Sequence, residues 1–88
     1  MNLTIQHIIS FCKGDFHGKS TDFIATHISI DSRSLQNGNN TLFFAIKGQN
    51  HDAHLYLEDL IAKGVCYFVV EYIPEHLIGK ASFIIVKN

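Results

Sequence analysis

Hydrophobic positions along the chain switch between helical spacing and strand spacing. Residues 3–12 carry apolar side chains near helical spacing and are followed by Lys13 and Gly14, which predicts a short amphipathic helix with a basic last turn and a C′ glycine. Residues 23–30 alternate with a period of two, and their isoleucines fall on one side, which predicts a half-buried strand. A helix and a strand therefore make up the first part of the chain.

A strand, a loop, a helix and a second strand follow in the middle of the chain. Residues 41–46 and 65–70 are apolar segments short enough to be strands buried on both faces of a sheet. Between them lies the polar loop 47–52, whose last residue can cap a helix that begins at Ala53 and ends before Gly64. This order is a βαβ unit, which predicts parallel strands joined by a right-handed crossover.

Shorter elements complete the pattern. Residues 16–17 predict a brief strand, residues 82–86 predict a last apolar strand, and the connector 71–80 has room for one helical turn after its proline. The pair Asn37-Gly38 predicts a tight reversal, because both residues tolerate positive φ. Together these elements predict an α/β fold with one small, mixed, partly parallel sheet and two main helices, in two or three layers.

Composition limits the chain to one domain and narrows the classes of partner. With 88 residues, of which 47% are hydrophobic, we expect a single domain over residues 1–88. The formal net charge of -1 provides no positive field for nucleic acid or an anionic membrane, so neither is an expected partner. Neither a secretory signal nor a membrane span is recognisable. Cys12 and Cys66 stand singly in apolar segments, which predicts buried thiols in a reducing cytoplasm.

Two local patterns resemble nucleotide or metal sites but lack an essential part. Residues 14–20 end in Gly-Lys-Ser, yet three residues rather than four separate the glycines and a predicted helix precedes them, so no triphosphate site is expected. His51 and His54 are three residues apart with Asp52 between them, but no third His or Cys stands out to complete a zinc site. A metal-dependent hydrolase using both histidines stays open as a hypothesis, while no catalytic residue and no metal ligand is assigned.

Two polar loops, 31–33 and 47–52, each follow an apolar strand. In α/β sheets, ligands bind beyond the carboxyl ends of the strands, so both loops can line one cleft if their strands are parallel. Arg33 can bind phosphate as a fork, Lys47 adds a point charge, and the amides of the second loop suit the edge of a nucleobase. The same side chains equally fit a structural role, in which Asp31 caps a turn and Arg33 pairs with an acid.

The order and spacing of four segments make a pattern more specific than any one tripeptide: 30–33, 42–48, 50–54 and 62–65. They closely resemble the N-terminal domain of the Mur ligases. The similarity is greatest to the MurF branch, which adds D-alanyl-D-alanine to UDP-N-acetylmuramoyl-tripeptide, and next to the MurE branch, which adds the third residue. Two departures are Ala53, which stands where the family usually has glycine, and His51, which stands where an aromatic or small residue is common. The resemblance implies that the chain is the N-terminal domain of such a ligase, excised from a longer parent protein.

The resemblance also implies a ligand, the UDP end of UDP-N-acetylmuramoyl-peptide. Ser32 and Arg33 would contact uridine or its diphosphate, and the residues after Gly48 would lie against uracil and ribose. The candidate substrate-binding residues are Ser32, Arg33, Lys47, Gly48, Gln49, Asn50 and His51. The residues assigned to holding the loops in shape are Asp31, Asp52 and His54.

For the parent, the resemblance implies an ATP-dependent peptide ligase of peptidoglycan biosynthesis in the cytoplasm. ATP and magnesium would bind a central ATPase domain of the same chain, so no cofactor is expected in this domain, and the 88 residues alone would not catalyse the reaction. The implied partners are UDP-N-acetylmuramoyl-peptide and that central domain. The alternative is a free-standing α/β protein-interaction or regulatory module without a nucleotide ligand.

Overall fold

The structure, a computed structural model, describes residues 3–33, 35–45 and 52–87. These residues form seven strands, two α-helices and two 3₁₀ turns. In chain order the elements are β1 (Leu3–Thr4), α1 (Ile5–Cys12), β2 (Asp15–His17), β3 (Ile24–Ala25), β4 (His27–Ser29), β5 (Thr41–Phe44), a first 3₁₀ turn (Ala53–Tyr56), α2 (Leu57–Ala62), β6 (Tyr67–Val70), a second 3₁₀ turn (Glu75–Leu77) and β7 (Ser82–Ile85).

The central sheet has five strands within the described residues, in the order β2-β7-β6-β5-β4. β4, β5, β6 and β7 are parallel neighbours, and β2 lies antiparallel to β7 at one edge. β1 and β3 pair separately in a small antiparallel sheet. Because β5 is followed by α2 and then by β6, the predicted βαβ unit and the partly parallel α/β sheet are confirmed.

A row of three aromatic rings fills the core on the α2 side of the sheet. The register places Phe43 opposite Phe68, and Phe68 opposite Phe83, on three adjacent strands. The ring centroids are 6.1 Å apart in the first pair and 5.5 Å in the second, a range in which aromatic pairs attract one another. All three rings are buried in one cluster with Leu57 and Leu60 of α2. This row holds α2 over the middle of the sheet.

The opposite face of the sheet is covered by α1. Ile5 and Ile8 of α1 pack in a second buried cluster with Leu42, Val69 and Ile84 of the sheet. Successive residues of a strand point to opposite faces, which is why the apolar segments enter both clusters. The domain therefore has three layers. None of the helices in the described residues is long and apolar enough to cross a membrane.

The single strand predicted over residues 23–30 is wrong, because the segment divides between two sheets. β3 pairs with β1, whereas β4 pairs with β5, and the chain bends where the N–H groups of Thr26 and His27 both donate to Asn40 O, at 3.0 and 3.2 Å. The alternating isoleucines lie on the outside: Ile30 is 61% exposed, and Ala25 is buried against α1 instead. A period of two reveals two faces but not which of them another layer covers.

The predicted helix boundaries are right to within a few residues, but the first helix ends in a different way. Thr4 caps α1, because its Oγ1 accepts from His7 N at 3.2 Å. The helix therefore begins at Ile5, and Leu3, predicted to be helical, belongs to β1. Lys13, with φ of 53°, takes the left-handed position expected of Gly14. Gly14 is required for space, because a Cβ there would lie 2.4 Å from Ile84 Cγ2. The second helix starts as the first 3₁₀ turn and becomes α-helical at Leu57.

The predicted turn at Asn37-Gly38 also depends on packing. Positive φ occurs at Asn40 (57°), and Gly38 is buried where a Cβ would lie 2.5 Å from the backbone N of Val65. Gly38 therefore lets the turn approach the chain that enters β6.

The expected burial of both thiols is wrong for Cys66, which is exposed because it precedes β6 at the amino edge of the sheet, and Cys12 is only partly buried.

Phe68→Ala is expected to lower the free energy of unfolding by about 3–5 kcal/mol, because it leaves a cavity in the middle of the aromatic row. Phe11→Ala is the matched control: Phe11 is 88% exposed on α1, and the expected change is about 0.5 kcal/mol or less. Urea unfolding followed by circular dichroism measures both. Equal losses in the two variants would contradict this assignment of the core.

Candidate functional site

The polar loops predicted to line one cleft leave the same edge of the sheet. β4 and β5 are adjacent and parallel, with Ser29 opposite Phe43, so residues 31–33 and the chain after Ala45 both start from the carboxyl ends of neighbouring strands. The condition that the strands run parallel is met. Five predicted substrate-binding residues lie outside the described residues: Lys47, Gly48, Gln49, Asn50 and His51.

The loop that follows β4 is shaped by Asp31. Its Oδ1 accepts from the backbone N–H of Arg33 at 2.9 Å and from Arg33 Nε at 3.2 Å. Ser29 Oγ donates to the carbonyl of Asp31 at 3.3 Å. This is an Asx turn, in which a carboxylate replaces a backbone acceptor and orients the side chain two residues later.

Ser32 and Arg33 have different environments in this loop. Ser32 is buried, and its carbonyl accepts from Lys63 Nζ at the end of α2, at 3.3 Å. The side chain of Arg33 is 85% exposed, although its Nε is paired with Asp31. Pairing through Nε sets the plane of a guanidinium group whose other edge faces solvent, a suitable arrangement for binding an anion.

A second polar cluster, which we call the His54 cluster, consists of Asp52, His54 and Tyr72. Asp52 Oδ1 is 2.6 Å from His54 Nδ1 and accepts from His54 N at 3.0 Å. Tyr72 Oη donates to Asp52 Oδ2 at 3.3 Å, and the rings of His54 and Tyr72 stack at 4.2 Å. Asp52 therefore caps the first 3₁₀ turn, as predicted, and also holds two side chains.

The position of the His54 proton follows from its neighbours. The backbone N–H of Glu71 donates to Nε2 at 3.0 Å, so Nε2 is an acceptor without a proton. The proton of the neutral ring is then on Nδ1, where it is donated to Asp52. His54 is 3% exposed, and both of its nitrogens are engaged. It has no free lone pair for a metal ion, which argues against the hydrolase hypothesis with His51.

The cluster changes the acidity of two of its members. Desolvation raises the pKa of Asp52, but the hydrogen bonds from the side chain and backbone of His54, together with the nearby imidazole charge and Tyr72, outweigh it, and the pKa lies below the usual 3.8. Desolvation and the carboxylates of Asp52 and Glu71 raise the pKa of Tyr72 above 10.0. Asp52 is therefore an anion at neutral pH and Tyr72 is a phenol.

The prediction from sequence missed Glu71 and Tyr72, which it treated as part of a connector. Their signal was their position, directly after the buried strand β6 at the same edge as the two polar loops. Tyr72 also borders a cleft of about 630 Å³. The lining of this cleft is mostly apolar and includes Ile73, Ile78, Ala81, Phe83 and Ile85.

Known proteins resemble this chain in both sequence and fold. No protein-family model matches it. It is 41% identical over 63 residues to the UDP-N-acetylmuramoyl-L-alanyl-D-glutamate--2,6-diaminopimelate ligase of Parabacteroides distasonis, covering 72% of this chain and 13% of the ligase. It is 38% identical over 86 residues to the ligase of the same name from Phocaeicola vulgatus, covering 98% of this chain and 16% of that ligase. The chain is related to the Mur ligases.

Solved structures agree on the fold of this Mur ligase relative. A crystal structure of MurF from Acinetobacter baumannii matches the whole chain with a TM-score of 0.85, at 22% identity and over 18% of its own length. Such low identity supports the fold alone, which is that of the MurF N-terminal domain. The curated relatives are diaminopimelate ligases and the solved structures are MurF. The similarity therefore extends to both branches of the Mur ligases and does not distinguish between them.

Stability is expected to depend on the ionisation of Asp52. Because its pKa in the folded state is below the unfolded value of 3.8, the carboxylate stabilises the fold above that pH, and this contribution is lost as the pH falls through the folded pKa. The difference in unfolding free energy between wild type and Asp52→Asn should shrink below about pH 4. Urea unfolding at a series of pH values measures it. The exposed Asp22, changed to Asn, is the control, and the same pH-dependent difference there would argue against a specific role for Asp52.

Proposed function

We propose that this chain binds the UDP end of UDP-N-acetylmuramoyl-peptide as the N-terminal domain of an ATP-dependent ligase that makes peptidoglycan precursors in the cytoplasm. The observation that carries the proposal is the placement of Arg33. It is an exposed guanidinium group held by an Asx turn at the carboxyl edge of a parallel sheet, in a chain related to the Mur ligases.

The chemistry of a nucleoside diphosphate suits this edge. Arg33 can donate two parallel hydrogen bonds to phosphate oxygens, which are stronger than bonds between neutral groups. Neighbouring strands lie about 4.8 Å apart, so the distance from the loop after β4 to the loop after β6 is about 10 Å, the scale of a nucleotide. On this proposal, Lys47, Gly48, Gln49, Asn50 and His51 complete the site. Ser32 contributes through its backbone and hydroxyl at the base of the loop.

The domain supplies binding rather than catalysis in this scheme. Energy from contacts with a remote part of a substrate can position a reacting centre elsewhere. ATP, magnesium and the groups that form the new amide bond would belong to a central domain of the longer protein. The chain spans 13% and 16% of the length of the two ligases named above, which leaves ample length for such a domain in a ligase of that size.

The amine that the parent ligase adds is a finer question. The sequence pattern favours D-alanyl-D-alanine, whereas the curated relatives are named for 2,6-diaminopimelate. Both kinds of ligase share a UDP-linked substrate, so the role proposed for this domain is the same for either. Release of ADP by the complete ligase, with the tripeptide substrate and D-alanyl-D-alanine against the dipeptide substrate and diaminopimelate, distinguishes the two.

The test of the proposal is an amide chemical-shift titration with UDP-N-acetylmuramic acid, with N-acetylmuramic acid as the control without nucleotide. Saturable shifts that include Arg33 and the residues around 47–52, seen only with the UDP compound, are expected. If no shifts occur at millimolar ligand, the interaction-module alternative gains. That alternative also gains if the gene ends near Asn88, and it fails if the reading frame continues into a Gly-rich loop ending in Lys-Ser or Lys-Thr.

Arg33→Ala is expected to weaken binding of UDP-N-acetylmuramic acid by roughly ten- to a hundredfold, the loss of about 1.5–3 kcal/mol for hydrogen bonds to a charged group. The fold should remain intact because the side chain is exposed. Lys19→Ala is the matched control, since Lys19 is an exposed cation that follows β2 at the amino edge of the parallel strands. Equal weakening by both variants would indicate a general effect of charge, and unfolding of Arg33→Ala would indicate a structural role.

A further inference from the structure

The cleft of about 630 Å³ lies on the α2 side of the sheet, where β7 and β2 form its floor. Phe83 and Ile85 of β7 line it, together with His17 of β2. His17 is paired opposite Phe83, and opposite residues of antiparallel strands point to the same face. The buried cluster under α2 includes Phe83 but no residue of β2. The cleft therefore begins where the cover of α2 ends.

The connector between β6 and β7 forms the walls of the cleft. Residues 71–73 leave β6, residues 78–81 return to β7, and between them Leu77 is buried in the core. Ile73 lines the cleft from the first segment, and Ile78, which is 65% exposed, lines it from the second. The volume is within the range of about 300–1,000 Å³ that is typical of small-molecule sites, which are also mostly apolar.

The charge of the lining is negative. Glu71 brings a carboxylate to the cleft, and the described residues that line it include no lysine or arginine. Desolvation and the carboxylates of Asp52 and Glu71 raise the pKa of the neighbouring Tyr72 above 10.0. Such a shift indicates a local potential that opposes a further negative charge and favours a positive one.

Tyr72 presents an aromatic ring at the same place. One face of the ring stacks on His54, with centroids 4.2 Å apart, and Oη donates to Asp52 at 3.3 Å, so the ring is held by two contacts. Tyr72 is nevertheless 45% exposed and lines the cleft. The face opposite His54 is therefore open to a ligand, and a cation within about 6 Å of a tyrosine ring is attracted to it.

We propose that this cleft binds a small molecule that has an apolar or aromatic body and a protonated amine. The body would lie on Phe83, between Ile73 and Ile78. The amine would lie between the carboxylate of Glu71 and the ring of Tyr72. Stable protein–protein interfaces bury about 800 Å² on each partner, more than the walls of this cleft provide, so the occupant is a small molecule.

This site is additional to the one proposed for the UDP end of the substrate. None of the residues that line the cleft is among those proposed to bind UDP. The two ligands also have opposite charge, because a nucleoside diphosphate is an anion. Failure of either proposal would leave the other unaffected.

The test uses two probes with the same apolar body and opposite charges at pH 7, phenylbutylamine and phenylbutyrate. Backbone amide and isoleucine methyl shifts are followed while each probe is added to the domain. Saturable shifts in residues 71–73 and 78–85 are expected with the amine, which should bind about tenfold more tightly than the acid. Absence of saturable shifts with millimolar amine, shifts confined to other residues, or equal affinities of the two probes would overturn the proposal.

Glu71→Gln tests the charge of the site. The substitution keeps the backbone N–H that donates to His54, and it is expected to weaken binding of phenylbutylamine about three- to tenfold without weakening that of phenylbutyrate. Asp59→Asn is the matched control, since it removes an exposed carboxylate of α2 that does not line the cleft. Equal weakening of amine binding by both variants would reduce the effect to general charge and contradict a specific site.

Ile78→Ala tests the apolar wall. Because the side chain is exposed, the variant should fold, which circular dichroism checks, and both probes should bind about fivefold more weakly. Ile28→Ala removes another exposed isoleucine, on β4 and outside the cleft, and should leave both affinities unchanged. Wild-type affinities in folded Ile78→Ala, or an equal loss in Ile28→Ala, would show that the probes do not bind in this cleft.

Discussion

Burial of both faces of a parallel sheet is the constraint on which the rest of this domain depends. β4, β5, β6 and β7 run in one direction, so each needs a connection that crosses back over the sheet, and the crossing elements cover its faces. The aromatic row through Phe68 holds α2 on one face, and Ile5 brings α1 onto the other. The same parallel order sends the successive loops out at one edge.

The polar groups at that edge divide into exposed and buried sets with different roles. Arg33 projects from an Asx turn with its Nε already paired, which leaves a preorganised cation facing solvent. His54 is buried, and its two hydrogen bonds are within the protein. On the proposed function a ligand would meet the first kind of group, whereas the second kind joins loops of the protein to one another.

Several parts of this arrangement could be predicted because their causes are local. Asp52 reads as a cap since its side chain bonds a backbone N–H two residues away, and the apolar strands around α2 read as a βαβ unit since their periods change in the right order. The exposed isoleucines of β3 and β4 could not be placed, because exposure depends on which layer covers a face. Tyr72 was missed for a similar reason, as its partners lie 18 and 20 residues away in sequence.

By itself the sequence determined the α/β class, the order of α1, β5, α2, β6 and β7, the segments that carry the Mur ligase pattern, and the loops with chemistry suited to a nucleotide. These follow from spacing and residue type within short windows. Only the tertiary structure decided that residues 23–30 enter two sheets, that Gly38 is needed for its close approach to Val65, and that His54 carries its proton on Nδ1. Each of these is a contact between segments distant in sequence, and such contacts exist only once the sheet has assembled.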